Sequence, residues 1–188
     1  MKKMQLKSAI REKILLKRRQ FSLENKSKAN HKIIELLSNL SCIQKSKNIL
    51  FYYPMKDEVD LLPFASKLIN NKTVLLPFVT DKNNHYIEAA QINSMKDIQL
   101  GTYKIMEPKN KEYFDLNKID CVLVPGVAFD HQKYRIGMGK GYYDNFLPRF
   151  KNAKKIGIAF DFQVLDHIPH EEHDVIMDLI VTEKQTIA

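Results

Sequence analysis

The sequence predicts an α/β protein, a three-layer α/β/α arrangement around a mainly parallel central sheet. Three observations carry this. Short apolar runs alternate with segments of helical period; the runs are apolar at every position rather than at every second one; and a glycine-rich stretch follows the most apolar of them. Strands with two apolar faces need cover on both, which crossover helices supply. The organisation is Rossmann-like, and in such sheets ligands bind beyond the carboxyl ends of the strands.

Leu6, Ile10 and Ile14 recur at helical spacing through a first helix over residues 2–20. A second helix runs through Ile33, Ile34, Leu36, Leu37 and Leu40, with Ser22 as N-cap. The period then changes: Asn48 to Tyr53 is short, apolar and stopped by Pro54, which reads as a buried strand. Leu61 to Ile69 is helical and Thr73 to Phe78 a strand. Residues 81–85 form a polar turn before a more exposed strand from Tyr86 to Ile92. Ser94 to Asn117, with Gly101, Pro108 and many charges, reads as an irregular loop. Cys121 to Val124 is a strongly apolar strand ending at Pro125-Gly126. A helix from Tyr142 to Phe150 and strands at Lys155–Phe160 and Leu179–Val181 complete the pattern.

The 188 residues, 44% hydrophobic, suit a single domain over 1–188 with one core. No window of eighteen apolar residues is free of charge, and the basic N-terminus lacks the apolar run of a signal peptide. Cys42 and Cys121 make neither a disulfide framework nor a metal-binding spacing; Cys121 reads as a packed core thiol, and a reducing cytoplasm fits. The net charge of +8 raises the question of nucleic acid. Its distribution answers in the negative: the lysines are scattered, the dense cluster is only Lys17-Arg18-Arg19, and no basic-aromatic stripe appears. A diffuse positive field suits an anionic small molecule.

The chemistry concentrates in Arg135-Ile136-Gly137-Met138-Gly139-Lys140-Gly141-Tyr142-Tyr143-Asp144. Glycines at alternate positions let backbone approach a ligand and adopt positive φ. The loop opens a helix, whose free N–H groups and dipole favour phosphate. Arg135 and Lys140 add cationic donors, and Asp144 is a hard oxygen ligand suited to nucleotide-bound magnesium. The spacing matches neither the P-loop nor the dinucleotide G-x-G-x-x-G, where Tyr142 would stand at the third glycine. A bare glycine triplet would be a plain connection; with Arg, Lys and Asp added, an anion-binding loop is the better reading.

Val124-Pro125-Gly126-Val127-Ala128-Phe129-Asp130, four residues and then this run closely resemble the signature of the 5-formyltetrahydrofolate cyclo-ligases, also called methenyltetrahydrofolate synthetases. Motifs in the same order extend the resemblance over nearly the whole chain. It implies a ligase that closes 5-formyltetrahydrofolate to 5,10-methenyltetrahydrofolate with ATP as co-substrate and Mg2+, releasing ADP and phosphate through a phosphorylated formyl intermediate. It further implies that Lys7, Arg11, Arg135, Gly137, Gly139, Lys140, Gly141, Tyr142 and Tyr143 hold ATP, with Lys140 and Arg135 catalytic. Folate would fall to Tyr53, Glu58, Met138, Gly139, Lys140, Gly141 and Tyr142. Glu58 lies in the middle motif Tyr52-Tyr53-Pro54-Met55-Lys56-Asp57-Glu58. An aromatic ring can pack on a pterin, and a carboxylate can accept paired hydrogen bonds from its amino-pyrimidine edge. Asp144 and Asp174 would hold magnesium, with Asp178 the second choice to Asp174.

By themselves, Lys7 and Arg11 read as a solvated basic helix face and Glu58 as a surface carboxylate at a strand-end turn. His167, His170 and His173 recur at spacing three, but Pro169 interrupts any helix carrying them and no cysteine is near, so exposed loop histidines outweigh zinc. Expected partners are folate and ATP, with no nucleic acid and no membrane, in a cytoplasmic monomer or weak homodimer. The alternatives are a sugar-phosphate or CoA-handling enzyme, which would not need Glu58, and a nucleic-acid-binding module without ATP turnover.

Overall fold

The computed structural model describes residues 2–172 and 174–188. Helices α1 (Lys2–Gln20), α2 (Leu23–Asn39) and α3 (Ser41–Lys45) lead into β1 (Asn48–Leu50) and α4 (Leu62–Leu68). The antiparallel pair β2 (Thr73–Asp81) and β3 (Tyr86–Ile92) precedes a small hairpin, β4 (Ile98–Leu100) and β5 (Met106–Pro108). Then come β6 (Cys121–Pro125), β7 (Ala128–Asp130), β8 (Arg135–Ile136), α5 (Tyr142–Phe146), β9 (Lys154–Ile158), β10 (Val164–Leu165), β11 (Leu179–Val181) and β12 (Thr186–Ile187).

The central sheet has seven strands in the order β12-β11-β9-β6-β1-β2-β3. Its inner pairs are parallel, and antiparallel pairing is confined to the edges, β2 with β3 and β11 with β12. Neighbouring residues alternate between two cores, as the period of a strand requires. Ile49, Val74, Leu76, Cys121, Leu123 and Ile156 face one core with α2 and α4. Leu50, Leu75, Val122, Val124 and Ile180 face the other, with Phe129, Phe146 and Leu147. That is the three-layer arrangement with a mainly parallel sheet.

Local chemistry explains the elements. Ser22 Oγ accepts the Asn25 N–H at 3.2 Å and caps α2. The Cys121 thiol is a core thiol, buried against the Ser46 hydroxyl at 3.1 Å, and burial pushes its pKa up to about 12. Among the described residues no helix is long and apolar enough to cross a membrane.

Four expectations need correction. The first strand pairs only over Asn48–Leu50; Phe51 and Tyr52 are buried and Tyr53 half-buried, but all three lie outside the strand, with only the Phe51 N–H reaching Leu75 O at 2.9 Å. The helix after the glycine loop is five residues long, its continuation a 3-10 turn at Leu147–Arg149 with Pro148. The stretch 94–117 is not simply irregular, because it holds the β4–β5 hairpin. Finally, Leu6 is exposed, and α1 packs through Ile14, which meets Val127, Ala128, Ile136 and Ile168. A separate sheet, β10-β7-β8, is too short in each strand to carry a readable period.

Candidate active site

The site forms where three inner strands run out. Tyr53 and Glu58 follow β1, Phe78 and Val79 lie in the outer half of β2, and Pro125 and Gly126 end β6. The β4–β5 hairpin and the glycine loop complete a cavity of about 340 Å3, within the roughly 300–1,000 Å3 usual for small-molecule sites. Tyr53, Glu58, Arg135, Gly137, Met138, Gly139, Lys140, Gly141, Tyr142, Tyr143 and Asp144 all line it. Lys7, Arg11 and Asp174 are not among the cavity's lining residues; Arg11 is tied to the loop from outside, and Lys7 and Asp174 pair with each other.

The glycine loop needs its glycines at two points, Gly139 (φ +90°) and Gly141 (φ +75°), the latter standing directly before α5. With no side chain at Gly139, the Arg11 guanidinium comes within 3.4 Å of where a Cβ would be, and Arg11 Nε donates to Gly137 O at 2.9 Å. One helical turn earlier, Lys7 pairs with Asp174 at 2.8 Å. Arg135 is only 5% exposed and donates to Asp144 Oδ1 at 2.6 Å, while Asp144 itself is 53% exposed. Burial lowers the Arg135 pKa; the Asp144 charge opposes this first, and Tyr143 and Asp174 also do so. Asp144 and Asp174 therefore act on one guanidinium. Lys140 is exposed and makes no ion pair among the described residues, its Nζ 3.6 Å from the centre of the Tyr103 ring. A five-residue helix has little macrodipole, so α5 supplies little of the positive field expected at its start, and the positive charge beside the loop is that of these cations.

At the other wall Glu58 is nearly buried, with 9% of its side chain exposed. Its Oε2 accepts the Met55 N–H at 3.0 Å, and its Oε1 lies 3.6 Å from Arg18 Nη2. Burial raises the Glu58 pKa, while the Arg18 charge and the Met55 N–H pull it back. Tyr52, behind Tyr53, donates from its hydroxyl to Val59 O at 2.8 Å and fixes the far end of the same turn. Glu58 is thus a held carboxylate rather than a surface one.

Three residues of this region escaped the sequence reading. Arg18 was counted only as part of the dense basic cluster Lys17-Arg18-Arg19, yet it is buried. Tyr103, at φ +56° in the hairpin connection, carries Lys140 on its ring and meets the Tyr142 hydroxyl at 3.1 Å. Glu107, 2% exposed, closes that connection by accepting the N–H groups of Thr102 and Val79 and pairing with Lys111 at 2.7 Å. A signal existed only for Arg18, which continues the helical line Lys7, Arg11, Ile14.

Two other candidates fall elsewhere. Asp178 accepts the Lys155 N–H at 2.8 Å at the amino end of β9, the opposite end of the sheet from the cavity. His167 and His170 converge on buried Asp130, their ligand-type atoms within 4.8 Å of one another, while His173 lies outside the described residues. Asp130 already accepts the N–H groups of Tyr134 and Ile168, so it pins two loops together.

The sequence model of the 5-formyltetrahydrofolate cyclo-ligase family matches residues 3–183. The 5-formyltetrahydrofolate cyclo-ligase of Mycoplasma pneumoniae is 34% identical over 183 residues, covering 95% of this chain and 99% of the relative. That of Haemophilus influenzae is 28% identical, covering 94% and 98%. Among solved structures, the Aquifex aeolicus 5,10-methenyltetrahydrofolate synthetase superposes with a TM-score of 0.88 at 39% identity, covering 96% of this chain and 91% of that one. The Mycoplasma pneumoniae 5,10-methenyltetrahydrofolate synthetase gives 0.74 at 33% identity, covering 94% and 98%.

Proposed function

The chain belongs to the 5-formyltetrahydrofolate cyclo-ligase family, and from that premise we propose that it closes 5-formyltetrahydrofolate to 5,10-methenyltetrahydrofolate at the expense of ATP. One observation carries the reading: a single cavity is lined by both a held carboxylate, Glu58, and a glycine loop bearing Arg135 and Lys140. The first suits the hydrogen-bond donors of a pterin edge, the second the phosphates of ATP. The free thiols Cys42 and Cys121 accord with a cytoplasmic enzyme.

A formamide carbon is a poor electrophile, because its oxygen leaves badly. In the proposed reaction the formyl oxygen attacks the γ-phosphorus of ATP and the bond to ADP breaks. N10 of the same folate then attacks the activated carbon and loses its proton, and the carbon–oxygen bond breaks to release phosphate. Both reactants are parts of bound ligands, so positioning and charge neutralisation are what the protein supplies. Glu58 and Tyr53 orient the folate. Lys140 is free to move from the Tyr103 ring to the transferring phosphoryl group. Arg135, paired with Asp144 at the cavity wall, presents a fixed fork. Arg11 braces the loop from α1, and Lys7, paired with Asp174 one turn earlier, adds positive charge behind it. No side-chain nucleophile is required.

Magnesium fits the donor set. Asp144 and Asp174 are hard oxygen donors, each now balanced by a cation, Arg135 and Lys7 respectively. When bound, the ion would supply neutralisation of phosphate charge, and these two carboxylates would hold it. Asp144→Asn and Asp174→Asn should each raise the magnesium concentration for half-maximal rate. The double variant should lose less than the two singles combined, since the first change already damages the shared site. Strictly additive effects in a magnesium titration would separate the two residues.

The mechanism is tested with substrate carrying 18O in the formyl group. The label should appear in the released phosphate, one atom per methenyl product. Label lost to water instead would exclude a phosphorylated formyl oxygen.

A further inference from the structure

Arg18 is 1% exposed, and its Nη1 is buried without a hydrogen-bond partner among the described residues. A cation in such a place needs a strong reason, because a buried charge that is incompletely paired opposes folding. The reason lies in its other two nitrogens. Nη2 donates to Asp57 Oδ1 at 2.9 Å and Nε to Asp57 O at 3.2 Å, while Nη2 also stands 3.6 Å from Glu58 Oε1. One planar fork thus grips the backbone and the side chain of Asp57 and reaches the next carboxylate. Lysine, a single point of charge, cannot do all three.

We propose that Arg18 is a positioning residue for substrate: from α1 it clamps the Met55–Glu58 turn and balances the charge of the Glu58 carboxylate at the folate wall. It does not line the cavity itself. On α1 it stands seven residues after Arg11, on the same face, so one helix braces both halves of the site. Its N-terminal part holds the glycine loop and its C-terminal part holds the carboxylate turn. The groups that act on Glu58 are few. Arg18 faces it from α1 and Asp57 from its own turn. The Tyr52 and Tyr143 phenols feel its charge from the end of β1 and from α5. Arg18 is the cation among them, so its loss removes the largest charge that opposes burial and leaves the Met55 N–H.

The inference rests on the reading of Glu58 as a folate anchor, and the test separates the two. The KM for 5-formyltetrahydrofolate and for ATP is measured against pH for the unmodified chain, Arg18→Met, Arg18→Lys, Glu58→Gln and the Arg18→Met/Glu58→Gln double variant. Arg18→Met should raise the folate KM at neutral pH at least tenfold with the ATP KM unchanged. Its folate KM should improve again as pH rises, the acid limb shifting upward by about 1–3 pH units. Arg18→Lys should keep the limb in place while raising the folate KM severalfold. In the Glu58→Gln background the methionine change should add little. An unmoved limb in Arg18→Met, or equal rises in both KM values, would reduce Arg18 to a structural residue and overturn the proposal. If Arg18→Met does not fold, Arg18→Lys decides: a rise in folate KM alone supports the clamp, and an equal rise for both substrates overturns it. A Glu58→Gln enzyme with unchanged folate KM would instead sink the reading of Glu58, and the clamp with it.

Discussion

Replacing Lys140 with alanine is expected to lower kcat by about 10²–10³-fold, with the fold retained. The side chain is exposed, and its one close contact is the Tyr103 ring at 3.6 Å. Removing it should cost no more than about 1 kcal/mol of stability. Lys140 stands between two positive-φ glycines at the edge of the cavity, with no carboxylate partner among the described residues. In that it differs from Arg135, which is bound to Asp144, and from Lys7, which is bound to Asp174. An unengaged cation beside a backbone loop can follow the phosphoryl group as charge develops, which affects turnover more than ground-state binding. Single-turnover rates and ATP affinity, measured side by side, check this. Unchanged turnover with unchanged ATP affinity would remove Lys140 from the reaction.

Glu58→Gln should be the most selective lesion. Hydrogen bonds to a charged acceptor are each worth about 1.5–3 kcal/mol, so losing the ionised form should weaken folate binding by about a hundredfold and leave ATP binding intact. Calorimetric titration with each ligand separately reads both effects. The pH dependence follows from the direction of the shift. Burial raises the Glu58 pKa, so the binding-competent carboxylate is present above that raised value and lost as pH falls through it. Folate affinity should therefore weaken on acidification at a higher pH than an ordinary carboxylate would give, and the glutamine variant should lack that limb. Equal loss for both ligands would contradict the assignment.

Much of the fold was legible because strand and helix periods differ and the inner strands are apolar throughout. Cys121 to Val124 could scarcely be anything but a buried strand. The hairpin β4–β5 was not legible: its strands are three residues each, and Leu100 is exposed, so no alternation survives. With the hairpin went Tyr103 and Glu107, one wall of the cavity. The glycine loop announced itself by composition, since three glycines with Arg, Lys and Asp are hard to explain otherwise. Glu58 did not. Its burial comes from Arg18, forty residues earlier in the chain, and from Tyr52 behind it, which no local pattern encodes. Arg18 was passed over for the converse reason: it sits in a basic cluster beside Lys17 and Arg19, both exposed, and only the helical line through Arg11 and Ile14 turns it inward.

The central claim is that one cavity brings folate and ATP together for cyclisation. The most direct test mixes purified protein, 5-formyltetrahydrofolate, ATP and magnesium, following the absorbance of the methenyl product together with ADP. The account predicts product and ADP in a one-to-one ratio, both requiring all three additions. ATP turnover that ignores folate, or folate that stays open while ADP accumulates, would contradict it.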